Sequence, residues 1–150
     1  MTTSRIFVCG WNVAEGRIAA RSHDIGGVIS IADDNTPRWG CRPKNLDLVE
    51  RRLHLEFEDT ESECSRYKAP TSIDIRKIVS FARQYDDQRE LLIHCYAGIS
   101  RSTAAAQIVL WEHQRTTGEV VELQPLCEEG GDIMPNSLML GLYLQDFGRP

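Results

Sequence analysis

No apolar run in this sequence approaches the roughly 20 residues that a membrane-spanning helix requires; segments as short as Leu91-Leu92-Ile93 are typical of its longest. An excess of positive charge is also missing. The 17 Lys and Arg against 22 Asp and Glu give a net charge of −5, which argues against general affinity for nucleic acid or anionic lipid and leaves only a local basic pocket. Neither a nucleic acid nor a membrane is therefore expected as a partner. The five cysteines, Cys9, Cys41, Cys64, Cys95 and Cys127, are odd in number and scattered. None forms a C-x-x-C, so no zinc knuckle or redox pair is suggested, and free thiols are expected. The short apolar run after Met1-Thr2-Thr3-Ser4-Arg5 meets Asn12 and Glu15 too soon to serve as a secretory signal, and a cytoplasmic protein is expected. Internal repeats, low-complexity tracts and long linkers are lacking too. What remains is a chain of 150 residues with 41% hydrophobic content, suited to a single domain with a real core.

The periodicities predict alternating strands and helices. Arg5 to Cys9 reads as a strand ended by Gly10, followed by a short helix capped by Asn12 and running to Ala20. Gly27 to Ala32 is rich in β-branched residues and stops at the turn signal Asp33 to Pro37; Pro37 to Asn45 reads as loop. Arg52 to Phe57 alternates with period two, as a half-buried strand does. Thr71 to Asp86 is the clearest amphipathic helix, with Ile75, Ile78, Val79, Ala82 and Tyr85 on one face and Thr71 with Asp74 as a capping box. Leu91 to His94 is a short buried strand, Ser102 to Gln114 a second helix stopped near Gly118, and Pro135-Asn136 opens a last helix to Phe147. Residues 119 to 134 read mostly as loop. The order predicts an α/β fold with a central, largely parallel sheet flanked by helices.

The chemistry concentrates in His94-Cys95-Tyr96-Ala97-Gly98-Ile99-Ser100-Arg101-Ser102, between a buried strand and a helix N-terminus. Such a junction favours anions, because unpaired backbone N–H groups and the helix dipole point outward there. The small residues of the loop let successive amides converge on a tetrahedral oxyanion, so Tyr96, Ala97, Gly98, Ile99 and Ser100 are the candidate phosphate-binding positions. Arg101 can add a planar, bidentate grip. Cys95, at the strand end, is the candidate nucleophile, its thiolate favoured by the same field that holds phosphate. His94 is either an ordering group for the loop or a plain buried histidine.

This string, H-C-x5-R-S/T as His94-Cys95 to Arg101-Ser102, resembles the phosphate loop of protein tyrosine and dual-specificity phosphatases. The longer match, Leu91 to Ala106, is most similar to small bacterial sequences predicted to be tyrosine phosphatases. Looser resemblance extends to Phe57-Glu58-Asp59, Phe81-Ala82-Arg83 and the Pro135-Asn136 helix, and the first fifty residues share only the general layout. The resemblance implies a phosphatase-like fold and a phospho-cysteine intermediate. It also implies a general acid on an upstream loop, where Asp59 fits; Glu56 lies within the strand, while Glu58, Glu61 and Glu63 flank the same loop and are rivals. Ser102 would donate to the cysteine sulfur as well as start the helix. Asn136 would contact the phosphate loop or simply cap the last helix.

The expected function is therefore hydrolysis of phosphomonoesters, with a phosphorylated protein as substrate and neither metal nor other cofactor. A loop without basic residues weighs against polyphosphorylated lipids and RNA 5′-phosphates. The short chain leaves little room for a pocket-deepening recognition loop, so phosphotyrosine, with phosphoserine and phosphothreonine as further candidates, is favoured. The alternatives are a non-catalytic phospho-binding module or another Cys-loop enzyme such as a sulfur transferase or arsenate reductase.

Overall fold

The computed structural model describes residues 5–33, 42–63, 66–123 and 133–150. Most of the turn and loop expected over residues 33–45, part of the loop at 119–134, and Cys41, Cys64 and Cys127 lie outside the described residues. Strand β1 (Ile6–Gly10) leads directly into α1 (Trp11–Arg21), followed by β2 (Ile25–Ala32) and β3 (Arg51–Glu56). Helix α2 (Ser72–Gln84), β4 (Glu90–Cys95), α3 (Arg101–Thr117) and α4 (Ser137–Phe147) complete the order. The four strands form one all-parallel sheet in the order β1-β4-β2-β3, so the expected α/β architecture is present.

Alternation along the strands divides the core into two layers. Leu91, Ile93 and Cys95 of β4 join Ile29 and Ile31 of β2 beneath α2, α3 and α4, which contribute Ile75, Ile78, Ile108, Val109 and Tyr143. Leu92, Val28 and Cys9 face the other way, toward Ala14 and Ile18 of α1 and toward Leu46 and Val49. A strand covered on both faces reads as a continuous apolar run, which is why β2 is buried throughout. The edge strand β3 instead exposes His54 and the charged Arg51, Arg52 and Glu56, and those charges discourage edge-to-edge pairing.

Local signals set most helix ends. The Thr71 backbone N–H donates to the Asp74 carboxylate at 2.8 Å, closing the expected capping box of α2. Gly118 ends α3 in the left-handed conformation, φ 76°, its N–H returning to Gln114 O at 2.8 Å. One expectation is corrected: Asn12 does not cap α1. The cap position is Gly10, and Asn12 lies within the first turn, its Oδ1 accepting from Val13 N. Strand and helix abut there with no linking turn, because Gly10 lies against the backbone of Tyr96 and Ala97; a Cβ on it would come within 2.9 Å of Tyr96 O.

Candidate active site

The ends of all four strands supply the site, as expected where ligands bind at the carboxyl edge of a parallel sheet. Cys95 is the last residue of β4, and residues 96–100 form the loop that enters α3 at Arg101. Three of the loop's carbonyls are hydrogen-bonded to the surrounding chain. Tyr96 O accepts from Trp11 N at 3.3 Å, Ile99 O from Met134 N at 3.1 Å, and Ser100 O from Asn136 N at 3.1 Å and Ala104 N at 3.0 Å. Thr103 Oγ1 also donates to Ile99 O at 2.6 Å. One loop amide faces the sulfur: Gly98 N–H donates to Cys95 Sγ at 3.3 Å. Gly98 can do this because it adopts φ 75° and lies so close to β1 that a Cβ would sit 2.5 Å from Cys9 C. Ser102 Oγ lies 3.1 Å from Cys95 Sγ, so the buried sulfur has one amide and one hydroxyl beside it.

Arg101 is 4% exposed. Its Nη1 donates to Asp33 Oδ1 at 2.5 Å and to Phe57 O at 2.8 Å, tying it to the ends of β2 and β3. Its Nε is buried and makes no hydrogen bond. A buried donor of a charged group left without an acceptor is costly, and an oxyanion in the pocket would supply one. A pocket of about 510 Å³ opens above these groups, lined by Cys95, Tyr96, Ala97, Ile99, Ser100 and Arg101 from the loop and by Asp33, Glu58, Asp59 and Tyr67 from its surroundings.

Asp59 follows β3 and lies over the loop. Its Oδ1 accepts from Ser100 Oγ at 2.7 Å and from Asn136 Nδ2 at 2.9 Å. Of the rivals, Glu58 lines the pocket with a buried Oε2 that has no partner. Glu61 turns to Ser137 N at 3.2 Å, and Glu56 lies 3.7 Å from Arg42 on the edge strand; Glu63 is exposed and does not line the pocket. Asn136 fills both roles left open for it. Its Oδ1 caps α4 through Met139 N, its backbone holds Ser100 O, and its amide holds Asp59 and Thr60 O.

His94 is fully buried, bonded through Nε2 to Ser30 Oγ at 2.5 Å and through Nδ1 to Cys95 O at 3.2 Å. Burial lowers its pKa to about 4, opposed by the Cys95 carbonyl bond and reinforced by the cations Arg42 and Arg101 and by His54. His94 is thus neutral at physiological pH. Sequence reasoning missed Asp33, Arg42 and Tyr67. Asp33 looked like part of a turn, Arg42 like part of a basic loop, and neither carries a local pattern that names a partner on another strand.

No family model matches the chain, and no curated protein matches it either. Solved structures do. The human tyrosine phosphatase-like serine/threonine/tyrosine-interacting protein superposes with TM-score 0.62 at 20% identity, covering 96% of this chain and 91% of its own. The chain has the fold of the tyrosine and dual-specificity phosphatases. The Yvh1 phosphatase domain of Chaetomium thermophilum gives TM-score 0.58 at 20% identity over 96% of this chain and 92% of its own. OH1 of the Orf virus, a tyrosine phosphatase, gives 0.59 at 16% identity over 98% and 85%.

Proposed function

We propose that the chain is a cysteine-dependent phosphatase acting on phosphomonoesters, with phosphotyrosine in proteins as the leading substrate and phosphoserine and phosphothreonine as further ones. The observation that carries this reading is the unpaired, buried Nε of Arg101, which lines the same pocket as a cysteine whose sulfur is already held by Gly98 N–H and Ser102 Oγ. The three groups together suit a phosphoryl group that has a nucleophile below it.

In the first step the Cys95 thiolate attacks phosphorus. An S–P bond forms, the P–O bond to the leaving group breaks, and Asp59 gives its proton to the departing oxygen. Oδ1 of Asp59 is held by Ser100 and Asn136, which leaves Oδ2 to carry that proton. In the second step the ionised Asp59 takes a proton from water, whose oxygen attacks phosphorus. The S–P bond breaks, Ser102 Oγ–H steadies the sulfur as it regains its charge, and inorganic phosphate leaves. Loop amides and Arg101 stabilise the equatorial oxygens in both steps, which makes a metal ion unnecessary to the scheme. Because a thiolate and a neutral acid are needed together, activity should peak at mildly acidic pH.

The case for an aryl phosphate rests on the walls. Tyr67 and Tyr96 are 51% and 54% exposed beside the pocket and can flank a ring. Among the described residues lining it, Arg101 is the one cation, set against Asp33, Glu58 and Asp59, which disfavours a substrate carrying further phosphates. Hydrolysis of p-nitrophenyl phosphate at mildly acidic pH with chelator present, wild type against Cys95→Ser, tests the proposal. Turnover abolished by the substitution supports it. No turnover from folded, reduced wild type that still binds phosphate would replace it with a phospho-binding module, and turnover of thiosulfate or arsenate instead would indicate another Cys-loop chemistry.

A further inference from the structure

Arg42 places its guanidinium between the ends of two neighbouring strands although only 20% of its side chain is exposed. Nη1 donates to Ser30 O at 2.9 Å and to Ser30 Oγ at 2.8 Å, and Nη2 donates to Leu55 O at 3.2 Å. Among the described residues, the carboxylate paired with it is Glu56, 3.7 Å away on the exposed side. A cation drawn into a sheet edge and fed mainly by neutral acceptors is expensive unless those contacts are needed. One of them continues inward. Ser30 is fully buried and sits opposite His94 in the β2–β4 register, its Oγ 2.5 Å from Nε2; His94 Nδ1 then meets Cys95 O at 3.2 Å.

The donors and acceptors in this row fit only one order. A guanidinium can only donate, and a peptide carbonyl can only accept. Ser30 Oγ therefore accepts from Arg42, and Cys95 O requires the proton of a neutral His94 on Nδ1. Nε2 is then a bare acceptor that must take the Ser30 hydroxyl proton. We propose that Arg42 and Ser30 are positioning residues for the nucleophile: they fix His94 as the Nδ1–H tautomer, which pins the Cys95 carbonyl and so sets the tilt of the first peptide of the phosphate loop. The opposite tautomer would aim two lone pairs at each other across Nδ1 and Cys95 O, and that peptide would be free to turn. The charged and titratable groups acting on His94 are Arg42, Arg101 and His54, and its lowered pKa keeps it neutral where the tautomer matters.

The catalytic consequence rests on the reading of Cys95 as nucleophile, whereas the tautomer does not, so the two can fail separately. Long-range nitrogen–proton correlation spectra of histidine-labelled protein at neutral pH read the tautomer without turnover. The wild type is expected to show His94 protonated on Nδ1, and Ser30→Ala to show a mixed or Nε2–H form. Ser30→Ala should lower kcat on p-nitrophenyl phosphate about tenfold, the worth of one well-placed hydrogen bond, with a smaller change in KM. Ser30→Thr, which keeps the hydroxyl, should restore the tautomer and most of kcat, and Arg42→Lys should retain more of both than Arg42→Met. An Nε2–H tautomer in the wild type overturns the proposal. So does Ser30→Ala with the tautomer and kcat unchanged.

Discussion

Asp59 and Glu58 are adjacent carboxylates at the same pocket, and their surroundings separate their roles. Asp59 is bonded to the loop after β4 through Ser100 Oγ and to the start of α4 through Asn136, whereas Glu58 has a buried oxygen with no partner. With Asp59 as the acid, Asp59→Asn should lower kcat on a phosphotyrosine peptide by about 10²–10⁴ and leave KM little changed. Nitrophenolate departs with little help from a proton, so the loss on p-nitrophenyl phosphate should be smaller. A drop of that size in Glu58→Gln, with Asp59→Asn unaffected, would exchange the two roles. His94 carries a prediction about stability. Its pKa of about 4 lies below the ordinary value of 6.5, so the unfolded chain binds the extra proton first. The stability that comes from burying it neutral is fully present above about pH 6.5 and is lost as pH falls toward 4, amounting to about 3 kcal/mol. Denaturant midpoints measured across that range should fall in the wild type and fall less in His94→Asn. Cys9 and Cys95 point to opposite faces of the sheet, which rules out a direct disulfide between them without breaking β1 or β4.

The loop of residues 96–100 is held from three sides, by the β1–α1 junction, by the start of α3 and by the approach to α4. Its tightest contact is Gly98 on β1, where both the positive φ and the 2.5 Å approach of a would-be Cβ to Cys9 C act against any side chain. Gly98→Ala should therefore cost about 1–3 kcal/mol of stability and most of the activity, read from thermal melts and turnover together. Turnover and melting both unchanged would show that the loop is not packed in this way. Elements whose signals are local were legible in the sequence: the capping box of α2, the glycine stop of α3, and the strand–loop–helix string that carries Cys95 and Arg101. The start of α1 was misread because its cap is decided by the distant Tyr96 backbone rather than by its own residues. Asp33 and Arg42 were not legible as site residues for the same reason. Their partners, Arg101 and Ser30, lie on elements that only the folded sheet brings beside them.

Across the whole molecule, strand order explains why the site is where it is. With β4 between β1 and β2, Cys95 at its end has Gly10 on one side and the ends of β2 and β3 on the other. From those ends Asp33 and Phe57 reach Arg101, and Asp59 reaches the loop. Among the described residues, no helix is long and apolar enough to cross a membrane. The all-parallel order belongs to the fold that the chain shares with the solved tyrosine and dual-specificity phosphatases. The most direct test follows the sulfur itself. Protein quenched in acid during turnover of p-nitrophenyl phosphate is digested and weighed, in the wild type and in Asp59→Asn, where the second step is slowed. The mechanism predicts one added phosphoryl group on the peptide carrying Cys95, more abundant in Asp59→Asn and gone in Cys95→Ser. Steady turnover with no such adduct in either protein, or turnover that survives Cys95→Ser, would contradict it.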